Sequence, residues 1–187
     1  MTQENIAGYV ADYCLTTLAK GEKRRMDQLK KGDRVRVMNG KIATIVCVIE
    51  TPLNGQAIEM IRLPTGLTVM PKHPIWDHNS IEWDYPADLY PECLVSKSPN
   101  SVFAFVLDAY HAMVINEVSV ICWGHAFNAD ELAHHPYFGN RELLLEDLSK
   151  MSGWEQGHII LKPGALVFDY KTKQVCGINP DSFIVPK

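Results

Sequence analysis

From Asp33 onward apolar residues fall on every second position. Val35 and Val37 alternate with Arg34 and Arg36, and after Asn39-Gly40 the run from Ile42 to Ile49 returns as an apolar segment. Such alternation lays one face of a strand on a core, and an Asn-Gly pair accepts the positive φ angles of a tight type I′ hairpin turn. Further strands are predicted over 57–62, 67–70, 102–108, 112–115 and 118–122. Between them, 76–100 is rich in Pro, Asp and aromatic residues and reads as an irregular excursion over the surface. Many strands of uneven length joined by loops predict a mostly β domain, not an alternating α/β one.

The two ends carry a different period. Residues 2–13 place Ile6, Tyr9, Val10 and Tyr13 at helical spacing and predict an amphipathic helix belonging to an upstream segment. Beyond His125, Leu143, Leu144, Leu145, Leu148 and Met151 form a helical stripe over 142–151 that Ser152-Gly153 ends. Short strands follow at 158–161, 165–169 and 174–178, with turns at Lys162-Pro163-Gly164 and 170–173. The chain therefore divides into an upstream segment (1–13), a β domain (14–125) and a C-terminal α+β appendage packed on it (126–187).

A chain of 187 residues, 47% hydrophobic, is long enough for one real core. Its net charge of -4 and its lack of a long Lys/Arg run argue against a nucleic-acid partner, and the locally basic 20–31 stretch reads as a solvated loop. No apolar run approaches the roughly 18 residues that span a bilayer, and residues 1–20 lack a charged start followed by an apolar run, so neither a membrane nor a leader is expected. The five cysteines, Cys14, Cys47, Cys93, Cys122 and Cys176, are odd in number and far apart, which predicts free thiols in a reducing, cytoplasmic compartment. Cys47 and Cys122 sit in apolar strands and read as small buried hydrophobes. Cys122-x-x-His125 is one tight pair, with Cys93 and His134-His135 elsewhere; a structural zinc needs four converging ligands, so no metal is expected, nor any cofactor.

The chemistry that stands out is a cysteine upstream of a strand-rich domain together with a distant histidine in a turn, Cys14 and Pro71-Lys72-His73-Pro74. A thiolate is a good nucleophile, and a histidine can protonate a departing amide nitrogen. With Asp27-x-Leu29-x-x-Gly32-Asp33-x-Val35, these residues resemble the Hint (Hedgehog and intein) autoprocessing domains, which start at their nucleophile. The runs from Val102 to Asn116 and from Val118 to His125, with His135-Pro136-Tyr137-Phe138-Gly139 and Gly153-Trp154-x-x-Gly157, are similar to the Vint subgroup attached to von Willebrand factor A modules. The resemblance covers Cys14 to Ile178 and implies a Hint-type β fold.

It also implies roles. Cys14 attacks the Tyr13 carbonyl through a five-membered ring and converts the Tyr13–Cys14 amide into a thioester. His73 occupies the place of the histidine that bonds the scissile nitrogen. His111 resembles a histidine of the later step, and His125 the penultimate histidine of inteins. Asp108 reads as a turn residue. Met70 stands where the family has a threonine, with Thr68 the nearest hydroxyl on the same strand face, Ala104 replaces a polar helper, and Glu117 stands where glycine often follows the asparagine. Ala126 after His125 has no side-chain amide to cyclise, so splicing is not expected. Two readings stay open: a self-processing domain acting in cis on its upstream host polypeptide, its thioester resolved by water, a small nucleophile or an acceptor amine; or a decayed Hint-fold structural or interaction module, which Met70 and Ala104 favour.

Overall fold

The apolar segment after Asn39-Gly40 becomes the spine of a large sheet in the computed structural model, which describes residues 8–185. In chain order the first strands are β1 (Val10–Ala11), β2 (Leu15–Thr17), β3 (Lys23–Arg25), β4 (Arg34–Arg36), β5 (Ile42–Pro52), β6 (Ile58–Arg62) and β7 (Thr68–Val69). They are followed by β8 (Ile75–Asp77), β9 (Glu82–Asp84), the short helix α1 (Pro86–Leu89), β10 (Leu94–Lys97), β11 (Ser101–Leu107), β12 (Ala112–Ile115) and β13 (Val118–Ile121). The last part holds helix α2 (Arg141–Ser149), β14 (His158–Ile160), β15 (Leu166–Phe168) and β16 (Val175–Ile178).

An eight-stranded sheet runs β10-β6-β7-β1-β11-β5-β14, with β4 also paired to β5; a six-stranded sheet runs β3-β2-β12-β13-β8-β9, and β15 pairs with β16. Antiparallel pairing prevails, as closely connected strands allow, except that β14 lies parallel to β5 with His158 opposite Val48. The segment beyond His125 thus contributes a strand to the main sheet, and Leu144, Leu148, Ile159 and Leu161 share one apolar core with Val35, Ile45, Met60 and Val106. Every residue of β11 is buried, so it shows no alternation, as a strand covered on both faces must. Each such Val or Phe contributes about 2 kcal/mol by leaving water.

The hairpin between β4 and β5 takes positive φ at Asn39 (64°) and Gly40 (69°). Val37 N–H donates to the Lys41 carbonyl, so three residues make this loop instead of two. Other expectations are corrected. The upstream helix over 2–13 is not formed where the chain is described: Val10–Ala11 is a strand held between β7 and β11, a tertiary pairing that overrides helical spacing. Its Ile6 lies outside the described residues. The 76–100 excursion holds β9 and β10 and the last residues of β8, because Trp76 and Trp83 pair across a hairpin and Leu94–Lys97 pairs with β6. The basic 20–31 loop contains β3, paired with β2. Helix α2 forms where the leucine stripe lies, its Asn140 side chain accepting the Leu143 N–H as an N-cap.

Candidate active site

The sheet that positions β1 brings Gly8 and Tyr9 under the closing hairpin. Tyr9 is buried, its ring 5.3 Å from that of Trp123. Its hydroxyl accepts from the Thr51 hydroxyl at 3.1 Å, and burial raises its pKa above the ordinary tyrosine value. Tyr9 carbonyl accepts the Met70 N–H at 3.0 Å. One residue earlier, the Trp123 indole N–H donates to the Gly8 carbonyl at 3.1 Å. Gly8 has φ 77°, and a Cβ there would stand 2.7 Å from that same indole nitrogen. Only glycine combines this φ with this close approach.

His73 is buried at the end of the Pro71-Lys72 turn, its N–H donating to the Met70 carbonyl at 3.1 Å. Nε2 lies 2.7 Å from the Ile121 carbonyl. A carbonyl accepts only, so this contact assigns the ring proton to Nε2. Nδ1 is buried and completes no hydrogen bond. Burial pushes the His73 pKa below the usual value, against the backbone of Ile121 and Tyr9, which favour the proton. His73, Gly8, Ile121, Cys122 and Trp123 line one cavity about the size of a single water molecule.

Cys14 belongs to another neighbourhood. Its Sγ accepts the Thr68 N–H at 3.3 Å and reaches back toward the Thr68 carbonyl at 3.6 Å. Burial pushes its thiol pKa up to about 11, against the hydrogen bonds from the backbone, so the thiolate is scarce at neutral pH. The Tyr13–Cys14 amide is tied into a local turn, Cys14 N–H donating to the Ala11 carbonyl at 3.2 Å, and the Cys14 carbonyl accepts the Met26 N–H at 3.0 Å. Among the described residues no hydrogen bond joins this amide or this thiol to His73, His111 or His125. Thr68 meets Cys14 through its backbone, while its hydroxyl donates to the Gly66 carbonyl at 3.3 Å.

The other two histidines gather at the outer end of the closing hairpin. His111 stacks on Phe127 with ring centroids 4.2 Å apart, and Trp83 approaches it edge-on at 5.9 Å; burial lowers its pKa. His125 Nδ1 accepts the Phe127 N–H at 2.9 Å. Burial, helped by the charges of His111, His135, His134 and His73, brings the His125 pKa down to about 4. Asp108 is exposed, and its carboxylate accepts the Thr44 N–H at 2.8 Å beside the hairpin. Among the described residues no group of three metal-ligand side chains converges, and no helix is long and apolar enough to cross a membrane.

The sequence-derived set is therefore split: Cys14 with Thr68, His73 with Ile121 and the Gly8–Tyr9 backbone, His111 with His125 through Phe127. Sequence reasoning missed Trp123, Gly8 and Tyr9. Trp123 lay inside a recognised motif, but only the three-dimensional approach to Gly8 reveals its donor role.

Two mostly antiparallel sheets, with a hairpin closing over the entering chain, define a mostly β domain of the Hint type. The chain belongs to the Vint family of Hint domains, whose model matches residues 9–177. Among solved structures it is similar to a DnaB intein from Synechocystis sp. PCC 6803, with 15% identity over 62% of this chain and 99% of that one and a TM-score of 0.49. It is likewise similar to a bacterial intein-like domain from Clostridium thermocellum, with 15% identity, the same coverage and a TM-score of 0.48. No curated protein matches the sequence.

Proposed function

We propose that this Hint domain serves in cis as a structural or interaction module that grips the polypeptide entering it and leaves its Tyr13–Cys14 bond an amide. The observation that carries this reading is the state of Cys14: a thiol closed off by packing, raised to about 11, with no base hydrogen-bonded to it. An acyl shift at neutral pH needs the opposite, a lowered thiol pKa or an adjacent base. The reducing, cytoplasmic setting expected from the dispersed cysteines is part of the proposal.

A second reading has one specific support, the Thr68 N–H aimed at Cys14 Sγ at 3.3 Å, which favours the thiolate. Under it, Cys14 converts the Tyr13–Cys14 bond to a thioester, and water, a small nucleophile or an acceptor amine releases the upstream host polypeptide without splicing.

Intact-mass measurement of the purified chain with hydroxylamine or dithiothreitol separates the two. The module reading expects no fragment ending at Tyr13. Its appearance, and its loss in Cys14→Ala, would establish self-processing at that bond.

A further inference from the structure

The peptide bond held at the buried histidine is not Tyr13–Cys14. The carbonyl of Gly8 receives an indole N–H at 3.1 Å, and the next carbonyl, that of Tyr9, receives the Met70 N–H at 3.0 Å. His73 shares the water-sized cavity with Gly8 and Trp123, and its Nδ1 is buried without a partner. A donor fixed on a carbonyl oxygen, with an imidazole lining the same enclosed space, is what an acyl shift requires of its surroundings. The family match also opens at Tyr9, upstream of Cys14.

What this position lacks is a nucleophile. A shift through a five-membered ring needs sulfur or oxygen directly on the Cβ of the residue after the carbonyl. The only side-chain oxygen of Tyr9 lies across an aromatic ring, and there it is bonded to Thr51 at 3.1 Å. The phenol can neither reach the Gly8 carbon nor close that ring.

The geometry points to Gly8–Tyr9 as the reacting peptide position of this domain, with Tyr9 as a plug that blocks the reaction and anchors the entering chain. The inference rests on the module reading above and explains how the fold can be kept while cleavage is lost. With a thiol on the Cβ of residue 9, the sulfur attacks the Gly8 carbonyl carbon. The carbon–sulfur bond forms, the carbon–nitrogen bond breaks, and the thiol proton passes by way of His73 Nδ1 to the new α-amine. Hydroxylamine then takes the acyl group as a hydroxamate and returns the thiol.

The test is Tyr9→Cys, checked for folding by circular dichroism and followed by intact mass with and without hydroxylamine. Because a buried tyrosine is removed, Tyr9→Cys with Thr51→Met, which refills the space, is made in parallel. The expected result is a hydroxylamine-dependent loss of residues 1–8, at least 100-fold slower when His73→Ala is added. A folded variant that loses nothing, or that is cut after Tyr13 instead, overturns the inference. Release after Tyr13 from the unsubstituted chain would overturn the module reading and this inference with it, whereas an intact unsubstituted chain beside a folded Tyr9→Cys variant that loses nothing overturns the inference alone. A measurement without any cavity is available in the unsubstituted chain, where nuclear Overhauser contacts should connect the His73 ring with Gly8 and Tyr9. Contacts to the Cys14 amide in their place would also overturn it.

Discussion

Trp123 and Gly8 stand 115 positions apart in sequence, and the indole N–H of one donates to the carbonyl of the other at 3.1 Å. This bond ties the entering chain to the residues that follow the closing hairpin. It also explains why a glycine stands at position 8, since any Cβ would collide with the indole nitrogen.

Trp123→Phe keeps most of the aromatic packing on Tyr9 and Phe138 and deletes the donor. A carbonyl left without its partner in a partly buried site costs about 1–3 kcal/mol. The variant should lose about that much stability by urea titration, and the amide hydrogens of Val10 and Ala11 should exchange faster while those of β11 change little. Unchanged exchange at Val10 and Ala11 would show that the indole bond does not hold the entry segment.

The thiols should differ sharply in reactivity. Cys176 is exposed and Cys93 half-buried, whereas Cys14, Cys47 and Cys122 are buried, with burial raising their pKa values to about 11, 12 and 12. Iodoacetamide at pH 7.5 should label Cys176 first and Cys93 more slowly, and reach the other three only when the chain unfolds. Peptide mapping that finds Cys14 labelled as fast as Cys176 would contradict a closed-off thiol.

The long strands were legible because their signals are local. The Val35/Val37 alternation and the apolar runs of β5 and β11 need only their own residues to be read, and so does the leucine stripe of α2. β1, β3 and β9, of two or three residues, were not legible, since so few residues carry no period and nothing local marks their pairing, whereas β12 and β13, of four residues each, showed as apolar runs on either side of a turn. The site divided in the same way. His73 stood out through its proline-flanked turn, and the structure buries it at the centre. Cys14 drew attention by its element, yet a thiol's reactivity depends on what surrounds it, and packing against Thr68 is invisible in the sequence. Tyr9 looked like one apolar residue of a helix. Only the fold shows that its backbone lies against His73.

Glu117 also departed from the family pattern, and the reason for a glycine there is conformational. Ile115 pairs with Val118, so Asn116 and Glu117 form a two-residue turn, with φ 46° and 65°. A left-handed conformation costs a residue with a Cβ roughly 1 kcal/mol relative to glycine. The opposing loss is a Lys23–Glu117 ion pair at 3.4 Å between exposed side chains, a class worth little. Glu117→Gly should therefore stabilise the chain by about 0.5–1 kcal/mol, seen as a higher urea midpoint with an unchanged slope. A lower midpoint would mean that the ion pair outweighs the turn.

Acid should weaken the fold through His125. Its pKa in the folded chain is about 4, down from the ordinary 6.5, with burial the largest cause. The close approach of Gly139, where a Cβ would sit 3.1 Å from the ring, leaves little room for hydration. A histidine whose pKa falls on folding takes its proton more readily in the unfolded chain. Stability is therefore full above about pH 6.5 and declines as the pH drops toward 4. The whole shift corresponds to an upper value of about 3 kcal/mol. His135, also brought down to about 4 by burial and by His134, adds in the same direction. His125→Asn places a side-chain oxygen near the former Nδ1, where it can still accept the Phe127 N–H, and removes the titration. Urea midpoints measured between pH 7.5 and 4.5 should fall steeply for the parent chain and less steeply for His125→Asn. Equal slopes would assign the acid loss to other groups, the first being His135 and the Glu50–His158 pair at 2.8 Å.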